Sequence, residues 1–446
     1  MSVLNSLLDK SKWQEFLNFK INQSHLSKIE ETELADFINN EKYLEIAKQI
    51  IQGAYSFSVP TKTLINKNGS SKKRVVYSFN PCENIILKFI SFLMNKYDNS
   101  FASNCYSFRK NYTVKRAFIE IVSHKNINNM FCYKLDISNY FNSINIQKLL
   151  PMLCNVINDD KPLLNLIQNI LTKDQSLFNG KIITEKRGAM AGTPLSTFIA
   201  NIYLMDLDKY FVSQNVIYAR YSDDIIIFTE SKQKLEYFKD YILNFLKEKD
   251  LSVNPEKESI FNPYEPWHFL GFEYNKGIID LSKITIKKIK DKIRRKSRAI
   301  FRWKVKNNKT TEHAIKVLIR VFNNKFYRTE NTKELSWCKW FFPLLSSHKS
   351  LKIIDDYFVQ YLRYLSSGKF SKRNFLVTYE SLKQLGFRSL VNEFYKFKKA
   401  NWFCFLKFLS CILKFCKICD KFYLVILGEK YVYLRKNSRY QTHWNC

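Results

Sequence analysis

Apolar residues recur at helical spacing through residues 1 to about 60, and the polar positions between them predict an amphipathic helical segment. Residues 61–130 mix short strand patterns and a basic turn with a long apolar helix pattern from Ile85 to Tyr97. Residues 131–280 alternate strand-like and helix-like runs. From Lys283 the chain reads as helical and strongly basic, with Ile286, Ile289, Ile293 and Ile300 keeping one face apolar. Asn307-Asn308-Lys309 and Ser366-Ser367-Gly368 are the best loop signals among the C-terminal pieces. The sequence carries no internal repeat and no low-complexity tail. The expected organisation is an N-terminal helical extension (1–60), then segments 61–130, 131–280 and 281–365, and a C-terminal extension (366–446).

Chemistry enters in the third of these segments. Phe131-Cys132-Tyr133-Lys134-Leu135-Asp136-Ile137 has strand composition and a carboxylate near its end, followed by a turn-like Ser138-Asn139. Val216 to Tyr221, then Ser222-Asp223-Asp224, then Ile225 to Phe228 read as strand, acidic tight turn and strand, a β-hairpin. Two adjacent carboxylates flanked by apolar strands are costly unless something pairs with them. Hard divalent cations with carboxylate oxygens as ligands do this well. Taken singly, Asp223-Asp224 reads as a solvated turn and Asp136 as a helix N-cap. What shifts the balance is the order of the segments that follow.

Composition narrows the partner. Seventy-two Lys and Arg against forty Asp and Glu leave +32 over 446 residues, a surplus that repels itself in a compact fold and suits a polyanion. Nucleic acid fits, because basic side chains release counterions from phosphates. Aromatics at 16% add rings on which unpaired bases stack. Ten scattered cysteines without a disulfide framework, and no secretory signal at Met1-Ser2-Val3-Leu4, lead to an expected cytoplasmic location. No continuous apolar run approaches the roughly 18 residues of a membrane span, so no membrane partner is expected. The most apolar stretch, Trp402 to Leu427, places Lys407, Lys414 and Lys421 on one helical stripe and reads as an amphipathic helix. Cys416, Cys419, His443 and Cys446 have the ligand types of a zinc site. A single Cys-x-x-Cys on an apolar helix reads more simply as buried cysteines, and that reading is favoured.

The carboxylate segments resemble the reverse transcriptases. Tyr221-Ser222-Asp223-Asp224 is similar to that family's Tyr-x-Asp-Asp hairpin, and Asp136-Ile137-Ser138-Asn139-Tyr140-Phe141 to its first metal-binding motif. The resemblance implies that Asp136 and Asp223 are the principal ligands of two Mg²⁺ ions, with Asp224 assisting and the Ile137 carbonyl completing a sphere. It implies that Phe141 crowds the 2′-position of the incoming nucleotide. Arg187 to Ser196, with Gly192, Pro194 and Ser196, resembles the motif that contacts template and nucleotide, ahead of a helix expected from Thr197 to about Asp208 that Ser196 would cap. Met190 and Ala191 replace the usual Pro and Gln, a form that looks closer to bacterial unknown-group, defence-associated enzymes related to retron and group II intron enzymes. Lys257 in Leu251 to Lys257 resembles the lysine that approaches the triphosphate. Phe269-Leu270-Gly271-Phe272 resembles the primer grip through Gly271. Lys72-Lys73-Arg74 resembles the fingers strand, with Lys73 and Arg74 on the triphosphate. Ser107-Phe108-Arg109 resembles a fingers or template contact at Arg109.

The implied fold is α+β, a right-hand polymerase with fingers (61–130), an antiparallel palm (131–280), a helical thumb (281–365) and a helical C-terminal region. Lys283 to Lys309 holds thirteen Lys or Arg and one acid. By resemblance this is the thumb, with Arg294, Arg295 and Arg298 along the primer–template backbone. The implied activity is RNA-directed DNA polymerisation from dNTPs, in antiphage defence with a non-coding RNA as template. A template-independent or protein-primed DNA polymerase and a non-catalytic RNA-binding scaffold are the alternatives. The sequence leaves a homo-oligomer open.

Overall fold

The computed structural model describes residues 2–23, 26–66, 73–327 and 336–400. Lys72, the Trp402–Leu427 stretch and the four candidate zinc ligands lie outside these residues. The chain divides into two compact units, Met1–Leu270 and Gly271–Cys446.

In the first unit a 3₁₀ segment (Val3–Leu8) leads into helices α1 (Lys10–Gln23), α2 (Lys28–Asn39) and α3 (Leu44–Ile51). Ser27 and Glu30 start α2 with a reciprocal capping box. Trp13 is buried between Tyr43 and Phe89, with ring centroids at 4.5 and 3.9 Å. The expected amphipathic start is therefore helical because it has a core to cover. Strands β1 (Thr61–Asn66) and β2 (Lys73–Ser78) pair antiparallel. Helix α4 (Pro81–Leu93) begins four residues before the expected Ile85, because the Asn80 side chain caps it and Pro81 suits the first turn. It passes into a 3₁₀ run, Met94–Ser100, and α5 (Val114–Val122) follows.

The order then runs β3 (Phe131–Asp136), α6 (Tyr140–Ser143), α7 (Ile146–Val156), α8 (Lys161–Thr172), β4 (Gln175–Phe178), β5 (Lys181–Thr184), α9 (Ser196–Tyr203), α10 (Met205–Ser213), β6 (Ile217–Tyr221), β7 (Asp224–Thr229), α11 (Lys232–Glu248), β8 (Ser259–Phe261) and β9 (Trp267–Phe269). One sheet has the order β2-β1-β4-β5, and the other β6-β7-β3-β8 with every neighbour antiparallel. The second sheet is the expected antiparallel palm. Its strands β3 and β7 are buried along almost their whole length, with α11 packed against both. The helix expected at 197–208 is two helices, because Leu204 leaves helical geometry at φ −110°, ψ 10°.

In the second unit the hairpin β10 (Phe272–Asn275) and β11 (Ile278–Leu281) precedes α12 (Lys283–Lys306), α13 (Thr311–Tyr327), α14 (Trp337–Phe341), α15 (Lys349–Tyr364) and α16 (Tyr379–Gln384). Ser282 caps α12 by accepting from the Thr285 amide. α12 lies against α13 and α15 and buries Ile289 and Ile293, while Ile286 and Ile300 are half-buried. The apolar stripe is thus narrower than the sequence suggests. Leu318, Phe322, Phe358 and Leu362 form the core behind it. The expected turns at 307–309 and 366–368 end α12 and α15. Among the described residues, no helix is long and apolar enough to cross a membrane.

Candidate active site

The register of the palm sheet brings the acids together. β3 pairs with β7 so that Asp136 stands opposite Asp224, and β6 pairs with β7 so that Tyr221 faces Asp224 across a two-residue turn. Ser222 in that turn is left-handed at φ +62°, an uncommon conformation for a side-chain-bearing residue. The turn is tied down from both sides. The Ile137 amide donates to the Asp223 carbonyl at 3.0 Å, and the Asn254 amide to the Asp136 carbonyl at 2.8 Å. Below it, Arg220 and Asp208 form a fully buried ion pair, with Nε to Oδ1 at 2.8 Å. Arg220 Nη1 also donates to the Ser222 carbonyl at 3.3 Å, gripping the turn from beneath. Removing one partner of such a pair leaves a charge stranded in the core.

Asp136, Asp223 and Asp224 each present an oxygen within 4.8 Å of the others. Asp136 is buried and the other two are half-buried. Burial, then the charges of Asp136 and Asp224, pushes the Asp223 carboxyl up to about 6. Burial also raises Asp224, and Lys134 partly offsets it. Three like charges held this close call for a compact counter-ion, and the all-oxygen donor set fits a hard cation such as Mg²⁺. The Ile137 carbonyl, at the end of β3, accepts no hydrogen bond from the described residues and fits the expected extra ligand.

Two lysines already answer part of the charge. Lys257 Nζ lies 2.5 Å from Asp136 Oδ2, on a side chain that is half exposed. The lysine expected at the triphosphate thus rests on the first carboxylate. Lys134 Nζ lies 3.3 Å from Asp224 Oδ1 and is nearly buried. Sequence reasoning passed over Lys134, although residues two apart on a strand share a face, which puts it beside Asp136. It also missed Arg220 and Asp208, whose separation along the chain gives no local signal.

Phe141 belongs to an aromatic group that reaches the hairpin, with Phe108 at 6.2 Å from it and Phe108 at 6.3 Å from Tyr221. Phe108 is exposed and left-handed, a candidate nucleotide contact that the sequence reading quoted without assigning. The 187–196 loop ties three segments together. The Ala189 amide donates to the Phe141 carbonyl, the Ala191 amide to Asn142 Oδ1, and the Tyr77 amide to the Ala191 carbonyl. Gly188 is left-handed, and a Cβ there would meet the Phe141 and Asn142 backbone at 2.5–2.7 Å. Gly192 is exposed and Pro194 half-buried, so both present surface. Lys73 and Arg74 are exposed on β2, at the edge of its sheet.

Two expectations are corrected. Of the fingers or template contact expected of Arg109, the structure has the first: its guanidinium pairs with Asp98 and donates to the Ala102 and Cys105 carbonyls, which leaves it turned away from a template. Ser196 does not cap a helix: it is buried as the first residue of α9, and its hydroxyl donates to the Thr193 carbonyl at 2.7 Å. Gly271, expected to let backbone approach backbone, is left-handed, and its carbonyl accepts from the Ser282 amide and the Thr285 hydroxyl at 3.0 and 2.9 Å. In the second unit Arg294, Arg295 and Arg298 are exposed on α12, with Arg294 paired to Asp291 at 2.8 Å.

Residues 65–274 match the family described as "Reverse transcriptase (RNA-dependent DNA polymerase)". The chain carries a reverse-transcriptase domain. That stretch includes the whole β6-β7-β3-β8 sheet and all three carboxylates. The Escherichia coli retron Ec86 reverse transcriptase is 24% identical over 167 residues, covering 36% of this chain and 48% of that protein. The COX1/OXI3 intron 2 protein of Saccharomyces cerevisiae is 27% identical over 195 residues, covering 43% and 22%. The chain thus spans half the length of the first relative or less, and still less of the second. Among solved structures, apo telomerase from Candida tropicalis, truncated from its C-terminal domain, has a TM-score of 0.42 at 15% identity, covering 51% of this chain and 55% of that one. Candida albicans telomerase with a fragment of telomeric RNA has 0.40 at 13%, covering 74% and 62%.

Proposed function

We propose that the chain is an RNA-directed DNA polymerase that adds deoxynucleotides to a 3′-hydroxyl. One observation carries this reading: Asp136, Asp223 and Asp224 converge within 4.8 Å inside a reverse-transcriptase domain. Asp136, Asp223 and the Ile137 carbonyl would hold two Mg²⁺ ions, with Asp224 assisting. Such ions, when bound, activate the attacking hydroxyl and neutralise the leaving pyrophosphate. The protein's own part is to position and discriminate. Lys73 and Arg74 hold the triphosphate through charge. Phe141 closes the space that a ribose 2′-hydroxyl needs. Lys257, half exposed beside Asp136, would give a proton to pyrophosphate. Gly192 and Pro194 meet the template, and Arg294, Arg295 and Arg298 follow the primer–template phosphates.

The proposed setting is antiphage defence in a bacterial cytoplasm, with a dedicated non-coding RNA as template. The Met190-Ala191 departure and the surplus of +32 support it. Sequencing the RNA and DNA that copurify with the protein from its native cells tests this setting. Primer extension on a primed RNA template tests the chemistry. The polymerase reading expects dNTP- and Mg²⁺-dependent products that Asp223→Ala and Asp224→Ala abolish while RNA binding persists. A wild-type protein that carries no RNA and extends nothing would overturn it. A product covalently joined to tyrosine would instead select the protein-primed alternative.

A further inference from the structure

The loop between α15 and α16, residues 365–378, is fixed on its inside and open on its outside. Asn374 is buried at its centre. Its Oδ1 accepts from the hydroxyls of Ser366, Ser367 and Ser371 at 3.0, 2.8 and 3.2 Å, and its Nδ2 donates to the Lys369 carbonyl at 2.6 Å. Lys304 of α12 donates to the Leu365 and Ser366 carbonyls at 2.8 and 3.3 Å. Gly368 is left-handed and lies so close to the Phe301 ring that a Cβ would come within 2.3 Å of it. These bonds hold the backbone in one shape.

That shape turns apolar groups outward. Phe370, Phe375 and Leu376 are 61%, 63% and 80% exposed. Lys369, Lys372 and Arg373 are exposed between them, and no carboxylate among the described residues pairs with any of the three. Between Tyr357 and Tyr379 the chain has four cations, counting Arg363, and no acid. Phe370 sits at the end of an aromatic row, 5.2 Å from Tyr361 and 5.3 Å from Tyr364. The Arg363 guanidinium lies 4.6 Å from the Phe375 centroid. Charge of one sign with no acid beside it favours a polyanion as the occupant over an apolar protein face. A polyanion with flat apolar faces meets both demands.

We propose that this loop is a stacking platform for unpaired bases of a single-stranded nucleic acid. Phe370 and Phe375 take the bases, while Lys369, Lys372 and Arg373 take the phosphates. Stacking of this kind is indifferent to sequence, because every base has a π-face. The proposal rests on the polymerase reading only for the source of the strand, a part of the template outside the primer duplex.

The test compares the full-length protein with Phe370→Ala/Phe375→Ala and Phe370→Trp/Phe375→Trp, binding a single-stranded oligoribonucleotide and an abasic strand of the same length. The alanine pair should weaken oligoribonucleotide binding about thirtyfold or more, since two stacked bases are lost together. Binding of the abasic strand should not change, and the tryptophan pair should bind like wild type. Equal binding by the alanine pair would overturn the proposal. So would an equal loss on the abasic strand, or a tryptophan pair as weak as the alanine pair. A change in oligomeric state with unchanged binding would mark the loop as a contact between copies and overturn it too. One-nucleotide extension on a template with a one-base overhang should stay at the wild-type rate in both variants. If the wild-type protein extends nothing, the polymerase reading fails while the binding comparison still decides the platform.

Discussion

The palm hairpin and helix α12 both concentrate charge of one sign, yet they hold it in opposite ways. Asp136, Asp223 and Asp224 are drawn within 4.8 Å and partly buried by strands that give them no freedom. Arg294, Arg295 and Arg298 stand exposed on a helix whose buried face is apolar. Packed like charge raises its own energy and waits for a compact counter-ion. Spread like charge keeps its water and suits an extended one. On the proposed reading the first holds ions and the second follows a polymer.

Removing an acid should cost the most activity. Asp223→Ala should lower primer extension by about a thousandfold or more, since transition-state charge then lacks its cation. Binding of primer–template should fall far less, and filter binding beside extension assays separates the two. Removing the exposed arginines comes next. Arg294→Ala/Arg295→Ala/Arg298→Ala should weaken binding of all sequences alike and reduce the slope of log K against log salt by up to about three, roughly one per lost phosphate contact. Extension at low salt should partly recover. A sequence-dependent loss would show that these arginines read bases.

Phe141→Ala should raise ribonucleotide incorporation relative to deoxynucleotide by about tenfold or more, in the range that one steric contact discriminates. An unchanged ratio would return Phe141 to the role of a core ring between Tyr140 and Phe108.

The smallest expected effect is on stability, and it separates the two regions most cleanly. Asp223 has its carboxyl raised from 3.8 to about 6, so the fold binds that proton more tightly than the unfolded chain does. Ionising it costs stability as pH rises from about 4 through about 6, and the cost is fully present above that. Asp223→Asn should therefore raise the melting temperature of the metal-free protein at pH 8 by a few degrees and leave it unchanged at pH 4. The same measurement on the α12 triple variant should show no such pH-dependent gain. Mg²⁺ binding by the wild type should weaken below about pH 6, where protons compete for Asp223.

Local pattern was enough for the elements that carry the site. The apolar runs on either side of Ser222-Asp223-Asp224 predict the hairpin, and the isoleucines of Lys283 to Lys309 predict α12. Both signals are periodicities that a short stretch of chain expresses by itself. Arg109 shows where local reading stops. Its motif suggested a fingers or template contact without choosing between them, and the Asp98 carboxylate and two carbonyls that enclose it come from the fold around it. Phe370 and Phe375 were invisible for a related reason. A phenylalanine in sequence is presumed buried, and the bonds that fix this loop, those of Asn374 and Lys304, leave these two outward.

What the sequence determined is the identity of the acids, the strands and turn that bear them, and the surplus of positive charge. These depend on residue type and near neighbours. What only the tertiary structure decided is which groups meet. The β3–β7 register sets Asp136 opposite Asp224, Lys134 comes to lie beside Asp224, and Arg220 reaches Asp208 beneath the turn. Such meetings depend on strand pairing and core packing, and distance along the chain says nothing of distance across the sheet.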